Sequence, residues 1–233
     1  IMYSLPGHPP KTVLVTSTLP GEGKTTTAIN LAISYAQRGH RVLLIDADIK
    51  RPGVHKFFDM DRSDGLTEIL IGKADGGAIQ KTAIDQLYVL PSGSKAPNPV
   101  DLLDSDVMRD LLACVSEEFD QVVIDTAPVT NIADTQVLVP YVDGVVLVVR
   151  PGMTPKKALR EAKEKLTAMQ GRVLGIVFNN PKQAGNGYGY GYGYRYSYRY
   201  AYGYGESSEE EIGQLAGDRS GTSLPSPEGS RQG

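Results

Sequence analysis

Six short runs of β-branched and aliphatic residues dominate what this chain can fold into. They are TVLVTS (12–17), RVLLID (41–46), LYVL (87–90), QVVID (121–125), GVVLVV (144–149) and VLGIVF (173–178). Their apolar residues fall on consecutive positions instead of alternating. A strand patterned in this way is buried on both faces, as in a parallel sheet covered by helices on each side. Helical periodicity fills the gaps between the runs. Residues 24–38 carry Ala28, Leu31, Ala32, Tyr35 and Ala36 at helical spacing, with Gly39 as the stop. Residues 106–118 and 155–169 behave alike, the latter opening at Thr154-Pro155. Strands alternating with helices predict right-handed βαβ units and a doubly wound, mostly parallel α/β sheet with helices on both faces.

The 233 residues suffice to bury about 70% of the unfolded surface, so no staples are needed. A net charge of −3 gives no whole-chain reason to expect nucleic acid or an acidic membrane surface. The single cysteine, Cys114, excludes an intramolecular disulfide and a multi-cysteine metal site, and fits a reducing compartment. No apolar run is long enough to span a bilayer. The opening IMYSLPGHPP lacks the basic-then-apolar order of a signal peptide. It also lacks an initial Met, which suggests a piece of a longer polypeptide.

Past Asn180 the core pattern stops. Residues 187–205 read GYGYGYGYRYSYRYAYGYG, with nine of the thirteen tyrosines at every second position. Residues 206–233 are first acidic, then rich in Gly, Ser and Pro. Strict alternation imitates a strand, but interleaved glycines without aliphatic partners predict a disordered tail. The expected division is a core domain over 1–180, a tyrosine-rich segment over 181–205 and a disordered segment over 206–233.

After the first strand comes TSTLPGEGKTTTAINLA, a glycine-rich loop that runs at once into the first helix. Gly21 and Gly23 suit a backbone that curls its N–H groups around a phosphate, and the helix N-terminus adds partial positive charge. Pro20, Gly21, Glu22, Gly23, Lys24, Thr25 and Thr26 form the candidate nucleotide loop. Lys24 would reach the β- and γ-phosphates and the Thr25 hydroxyl would bind Mg²⁺. Thr18 stands where the pattern GxxxxGK[ST] has its first Gly. The second predicted strand ends in LLIDADIKRP, which puts Asp46 and Asp48 on one face at the carboxyl end, where open α/β sheets bind ligands. Paired acids there repel unless a cation or proton offsets them. The fourth ends in VVIDTAP, whose Asp125 has the form of a Mg²⁺-holding acid. The conjunction points to ATP and Mg²⁺.

The glycine loop, IDAD and VVIDTAP in this order resemble the ParA/MinD-like branch of P-loop NTPases. Within it, PGEGKTTTAINLA, VLLIDADIKRPGVH, PNPVDLLDS and FDQVVIDTAPV resemble the bacterial tyrosine kinases of capsule and exopolysaccharide biosynthesis. The similarity covers about residues 11–180, and a tyrosine-rich tail follows in that family too. It implies that Lys24 and Thr25 are the Walker A lysine and Mg²⁺-binding hydroxyl. Asp46 and Asp48 become the acidic pair of the Walker A′ motif, and Asp125 the Walker B acid. Asn179 would contact adenine. The metal set is then Thr25, Asp48 and Asp125, and the catalytic set Lys24, Asp46 and Asp48, with Asp46 the expected base and Asp48 able to exchange roles with it. The phosphoacceptors would be Tyr188, Tyr190, Tyr192, Tyr194, Tyr196, Tyr198, Tyr200, Tyr202 and Tyr204.

The resemblance further implies self-assembly into a homo-oligomeric ring, a transmembrane activator fused N-terminally or separate, protein-tyrosine substrates, and a place on the cytoplasmic side of the inner membrane. Two departures matter. Partition-type ATPases carry a signature lysine where Thr18 and Leu19 stand, which argues against an ATPase switch of that type. Lys50, followed by Arg51, stands where Arg is common in the kinases. The Glu/Arg motif used in ring assembly would precede Ile1. A nucleotide-bound scaffold with an aromatic interaction tail is the non-enzyme alternative. Arg195 and Arg199 alone give little counterion release, so no nucleic-acid partner is expected. His8, His40 and His55 lie outside the motifs, and Lys156, Lys157, Arg160, Lys163 and Lys165 read as a solvated basic face.

Overall fold

A computed structural model describes residues 9–129 and 133–179. Seven strands form one sheet: β1 (Thr12–Ser17), β2 (Val42–Asp46), β3 (Gln80–Lys81), β4 (Leu87–Leu90), β5 (Gln121–Asp125), β6 (Gly144–Val149) and β7 (Val173–Phe178). Their spatial order is β3-β4-β2-β5-β1-β6-β7. All neighbours are parallel except β3 with β4. The helices are α1 (Lys24–Ala36), α2 (Val54–Phe58), α3 (Leu66–Leu70), α4 (Pro99–Leu103), α5 (Asp106–Glu118), α6 (Ala133–Leu138) and α7 (Lys156–Ala168).

The consecutive apolar runs have the predicted cause. Leu14, Leu43, Ile45, Val122, Ile124 and Leu147 point to one face and pack with Met108, Leu112 and Val115 of α5 and Ala162 and Leu166 of α7. Val13, Val15, Val42, Leu44, Val123 and Val148 point to the other and pack with Ala28, Ile29, Ala32 and Tyr35 of α1. Each central strand therefore buries both sets, and alternation disappears from its sequence.

VLGIVF departs from the expectation of two buried faces. As β7 it is a sheet edge among the described residues, with β6 beside it. Val173 joins one core face, and Leu174 and Val177 pack against the other. Ile176 and Phe178 stay 43% and 63% exposed, because among the described residues no further strand extends the covered surface beyond them.

The predicted boundaries of α1, α5 and α7 differ from those found by at most two residues. The two-residue β3 and the five- or six-residue helices were not foreseen. Such pieces are too short to show periodicity and are fixed by contacts made elsewhere. Thus Gly65 caps the start of α3 at a point where a Cβ would lie 2.3 Å from Gly93 N, and Glu68 accepts from the N–H of Gly65 at 3.0 Å. Among the described residues no helix is long and apolar enough to cross a membrane. The tyrosine cluster and everything after Asn179 lie outside the described residues.

Candidate active site

β1 ends on Ser17, and the chain loops from Thr18 to Gly23 before entering α1. Gly21 has φ +81° and Gly23 φ +92°, conformations that cost a side-chain-bearing residue about 1–2 kcal/mol. Gly23 is the N-cap, with no side-chain hydrogen bond capping α1 and no acidic residue in its first turn. The first N–H groups and the positive helix end are thus aimed into the loop, the arrangement that receives anionic oxygen. A cavity of about 480 Å³ opens there, lined by Pro20, Gly21, Lys24, Asp48, Lys50, Arg51 and Pro128.

Lys24 gathers the acids. Its Nζ lies 2.7 Å from Asp48 Oδ2 and 3.6 Å from Asp125 Oδ1, and donates to Thr25 Oγ1 at 3.2 Å. Asp46 and Asp125 face each other in register at the ends of β2 and β5. Both are wholly buried. Burial pushes Asp125 up to about 7 despite the pull of Lys24. Burial likewise raises Asp46 to about 6, against the opposing N–H bonds from Val54 and Gly53. For Lys24, burial works downward, yet Asp125, Asp48 and Asp46 outweigh it and the ammonium is stabilised overall.

The two A′ acids have different surroundings. Asp46 Oδ2 accepts from Gly53 N and Val54 N, each at 3.0 Å, which ties it to the start of α2. Its Oδ1 receives only a long contact from Asp48 N at 3.3 Å. Asp46 does not line the cavity, whereas Asp48 does. Both Asp125 oxygens are buried without a hydrogen-bond donor. Such atoms are costly unless a cation meets them, and Lys24 Nζ, 3.6 Å from Oδ1, meets them in part. Among the described residues no group of three or more His, Cys, Asp or Glu could by itself hold a metal. Thr25, Asp48 and Asp125 would suit Mg²⁺, which commonly takes one or two carboxylates and completes its shell with phosphate and water.

Asn179 follows β7, and its Nδ2 donates to the Glu22 carbonyl at 2.8 Å, so the side chain braces the glycine loop. Pro20 and Thr26 are exposed on the loop and first helical turn. Several neighbours escaped the sequence reading. Lys50 pairs at 2.9 Å with buried Asp134, linking the A′ segment to α6. Thr16 and Thr135 hydroxyls both donate to the Ala127 carbonyl, at 2.7 and 2.6 Å, and fix the chain after Asp125. Thr154 reaches Glu22 from the other side of the loop. Asp134 lies in VTNIADT, which has no distinctive spacing, and Thr154 resembled an ordinary helix opener. His40 stacks edge-on against Tyr35 and His55 sits on α2; neither lines the cavity, and His8 is outside the described residues.

A glycine loop feeding a helix N-terminus, with acids behind it at the carboxyl ends of a parallel sheet, defines the P-loop nucleotide-binding class. An AAA-domain family model matches residues 11–172. The chain is 43% identical over 173 residues to tyrosine-protein kinase YwqD of Bacillus subtilis, covering 74% of this chain and 73% of that one. It is similar in structure to the kinase domain of Escherichia coli tyrosine kinase ETK, with TM-score 0.73, 33% identity, and coverage of 78% and 72%. Its fold also matches the cell division ATPase MinD of Pyrococcus furiosus, with TM-score 0.64, 24% identity, and coverage of 75% and 74%. The chain belongs to the bacterial protein-tyrosine kinases.

Proposed function

We propose that this enzyme uses Mg·ATP to phosphorylate its own tyrosine cluster, Tyr188 to Tyr204, between subunits, and so regulates polysaccharide synthesis or export. The observation that carries the reading is Lys24, held 2.7 Å from Asp48 beneath an uncapped helix N-terminus. Phosphoryl transfer asks for charge neutralisation and positioning more than for covalent help from the protein. Mg²⁺, held by Thr25, Asp48 and Asp125, would neutralise phosphate oxygens. The loop N–H groups and Lys24 bind the phosphates.

The acceptor phenol oxygen forms the new P–O bond while the bond to ADP breaks, and its proton passes to a carboxylate. A phenol ordinarily titrates near ~10, so that carboxylate must sit within hydrogen-bond reach. Asp48 lines the cavity and Asp46 is buried behind it, so Asp46 would take the proton through one water; two features still favour Asp46. Burial raises its pKa to about 6, above an ordinary carboxyl, and its Oδ1 carries a 3.3 Å contact from Asp48 N. Asp48 is committed to Lys24 and the metal.

Further proposals follow from the family resemblance: assembly with other copies of itself, a transmembrane activator, additional protein-tyrosine substrates, and a location at the inner face of the membrane. An ATPase switch of the ParA/MinD type is disfavoured by Thr18 and Leu19 in place of the signature lysine. Anti-phosphotyrosine blotting after incubation with Mg·ATP separates the kinase from both the switch and a passive scaffold. Labelling of wild type and none of Lys24→Met is the expected pattern. An unlabelled, assembled wild type holding ATP would discard the autokinase reading.

A further inference from the structure

Glu22 is fully buried inside the phosphate loop, and among the described residues no cation forms an ion pair with it. Hydrogen bonds meet its carboxylate instead. Oε2 accepts from Leu19 N at 2.8 Å, closing the loop on itself. Oε1 accepts from the Thr154 hydroxyl. That hydroxyl in turn accepts from Arg150 N at 2.9 Å, so the turn between β6 and α7 is fastened to the loop. The main chain of the same residue is held from another direction, through the bond from Asn179 Nδ2 to the Glu22 carbonyl. Asn179 is fixed in turn, its N–H donating to Val149 O at 2.9 Å.

The packing agrees with a clamp. A Cβ on Gly23 would lie 1.9 Å from Asn179 Nδ2, and one on Gly21 would lie 3.6 Å from Met153 Cε. A side chain at Gly23 would displace Asn179 as well as carry the strain of positive φ. Glycine also gives the loop the most conformational freedom to lose when it orders. A free loop would have to be ordered by the nucleotide itself, at the expense of affinity.

We infer that Glu22 and Thr154 are positioning residues, a side-chain brace that holds the phosphate loop in its binding shape. The inference rests on the nucleotide-binding reading above. Neither side chain needs to touch the nucleotide. The brace also joins the loop to the turn before α7, so a displacement of that turn would alter nucleotide affinity.

The test compares Thr154→Val, which keeps shape but loses the hydroxyl, with Thr154→Ser, which keeps the hydroxyl. Binding of a fluorescent ADP analogue with Mg²⁺ and turnover at saturating ATP are measured together. Thr154→Val should weaken binding about tenfold and raise KM for ATP similarly, with kcat within about twofold. Thr154→Ser should restore both. Glu22→Ala combined with Thr154→Val should bind no worse than Glu22→Ala alone, and amide exchange at Leu19 should quicken in Glu22→Ala. Should Glu22→Ala fail to fold, the Val/Ser pair still decides. Wild-type affinity in Thr154→Val, absence of rescue by Ser, or loss confined to kcat would overturn the brace while leaving the kinase reading intact. A wild type that binds no nucleotide would overturn both.

Discussion

Lys24 is drawn by three carboxylates, and its removal changes each of them. Lys24→Met should abolish tail labelling while circular dichroism stays native, because Asp125, already raised to about 7, can remain protonated. The same acids set a pH response. A carboxyl raised in the fold binds its proton more tightly there than in the unfolded chain. Its contribution to stability is present at low pH and is lost as pH climbs through the folded value. With Asp46 near 6 and Asp125 near 7, thermal stability without Mg²⁺ should fall between about pH 4 and pH 7. Mg²⁺-dependent nucleotide affinity should move oppositely, rising through about pH 7 as Asp125 ionises. Calorimetry and a binding titration over pH 5–9 check the pair; parallel trends would mean that Asp125 takes no part in holding the metal. Asp46→Asn should keep nucleotide affinity yet lose about 10²-fold or more in phosphotransfer. Equal loss of both would assign Asp46 to the metal instead.

The loop from Thr18 to Gly23 works as an element only because its glycines lack side chains. Gly23→Ala should weaken nucleotide binding sharply, since it adds positive-φ strain to a 1.9 Å clash with Asn179. Asn179→Ala in that background should recover part of the loss, which titration of both variants checks. At the sheet edge the expectation is mild. Phe178→Ser should shift unfolding free energy by less than about 0.5 kcal/mol. By contrast, Leu44→Ala in central β2 should cost about 2–5 kcal/mol by denaturant titration. This contrast also marks what the sequence could reveal. β2 and β6 declare themselves because burial on both faces writes an unbroken apolar run. β7 carries the same kind of run at an edge, and nothing local distinguishes the two positions. The site divides similarly. Lys24, Asp46, Asp48 and Asp125 sit next to strand ends, where short motifs mark them. Thr154 and Asp134 meet the site only through folding, from 132 and 84 residues away along the chain from Glu22 and Lys50.

At the scale of the whole molecule, the tail's reach governs how it is used. Tyr188 follows β7 by about ten residues, and an extended chain covers at most ~3.3–3.6 Å per residue. Ten to twenty-five residues therefore reach roughly 35–90 Å, enough to enter a neighbouring subunit. Mixing tail-bearing Lys24→Met with a tailless active protein should place phosphotyrosine on the inactive partner. If that mixture stays unlabelled while wild type labels itself at a rate independent of concentration, transfer is within one chain. Each phosphate adds about −1.5 to −2 charges, so a multiply modified tail should withdraw from acids such as Asp46, Asp48 and Asp125.

The position of β1 has a consequence for synthesis. It precedes every other described strand along the chain, yet it sits between β5 and β6, and its Thr16 hydroxyl is bonded to a carbonyl 111 residues further on. Until that distant segment leaves the ribosome, β1 has no strand to pair with on either side. Its apolar edges then invite pairing with other nascent chains. Closing so long a separation is slow, because the entropy is lost before the contacts repay it. The glycine loop follows β1 directly, but its partners Thr154 and Asn179 come from beyond β6; as a braced loop, it should let nucleotide stabilise this protein only once synthesis has passed Asn179.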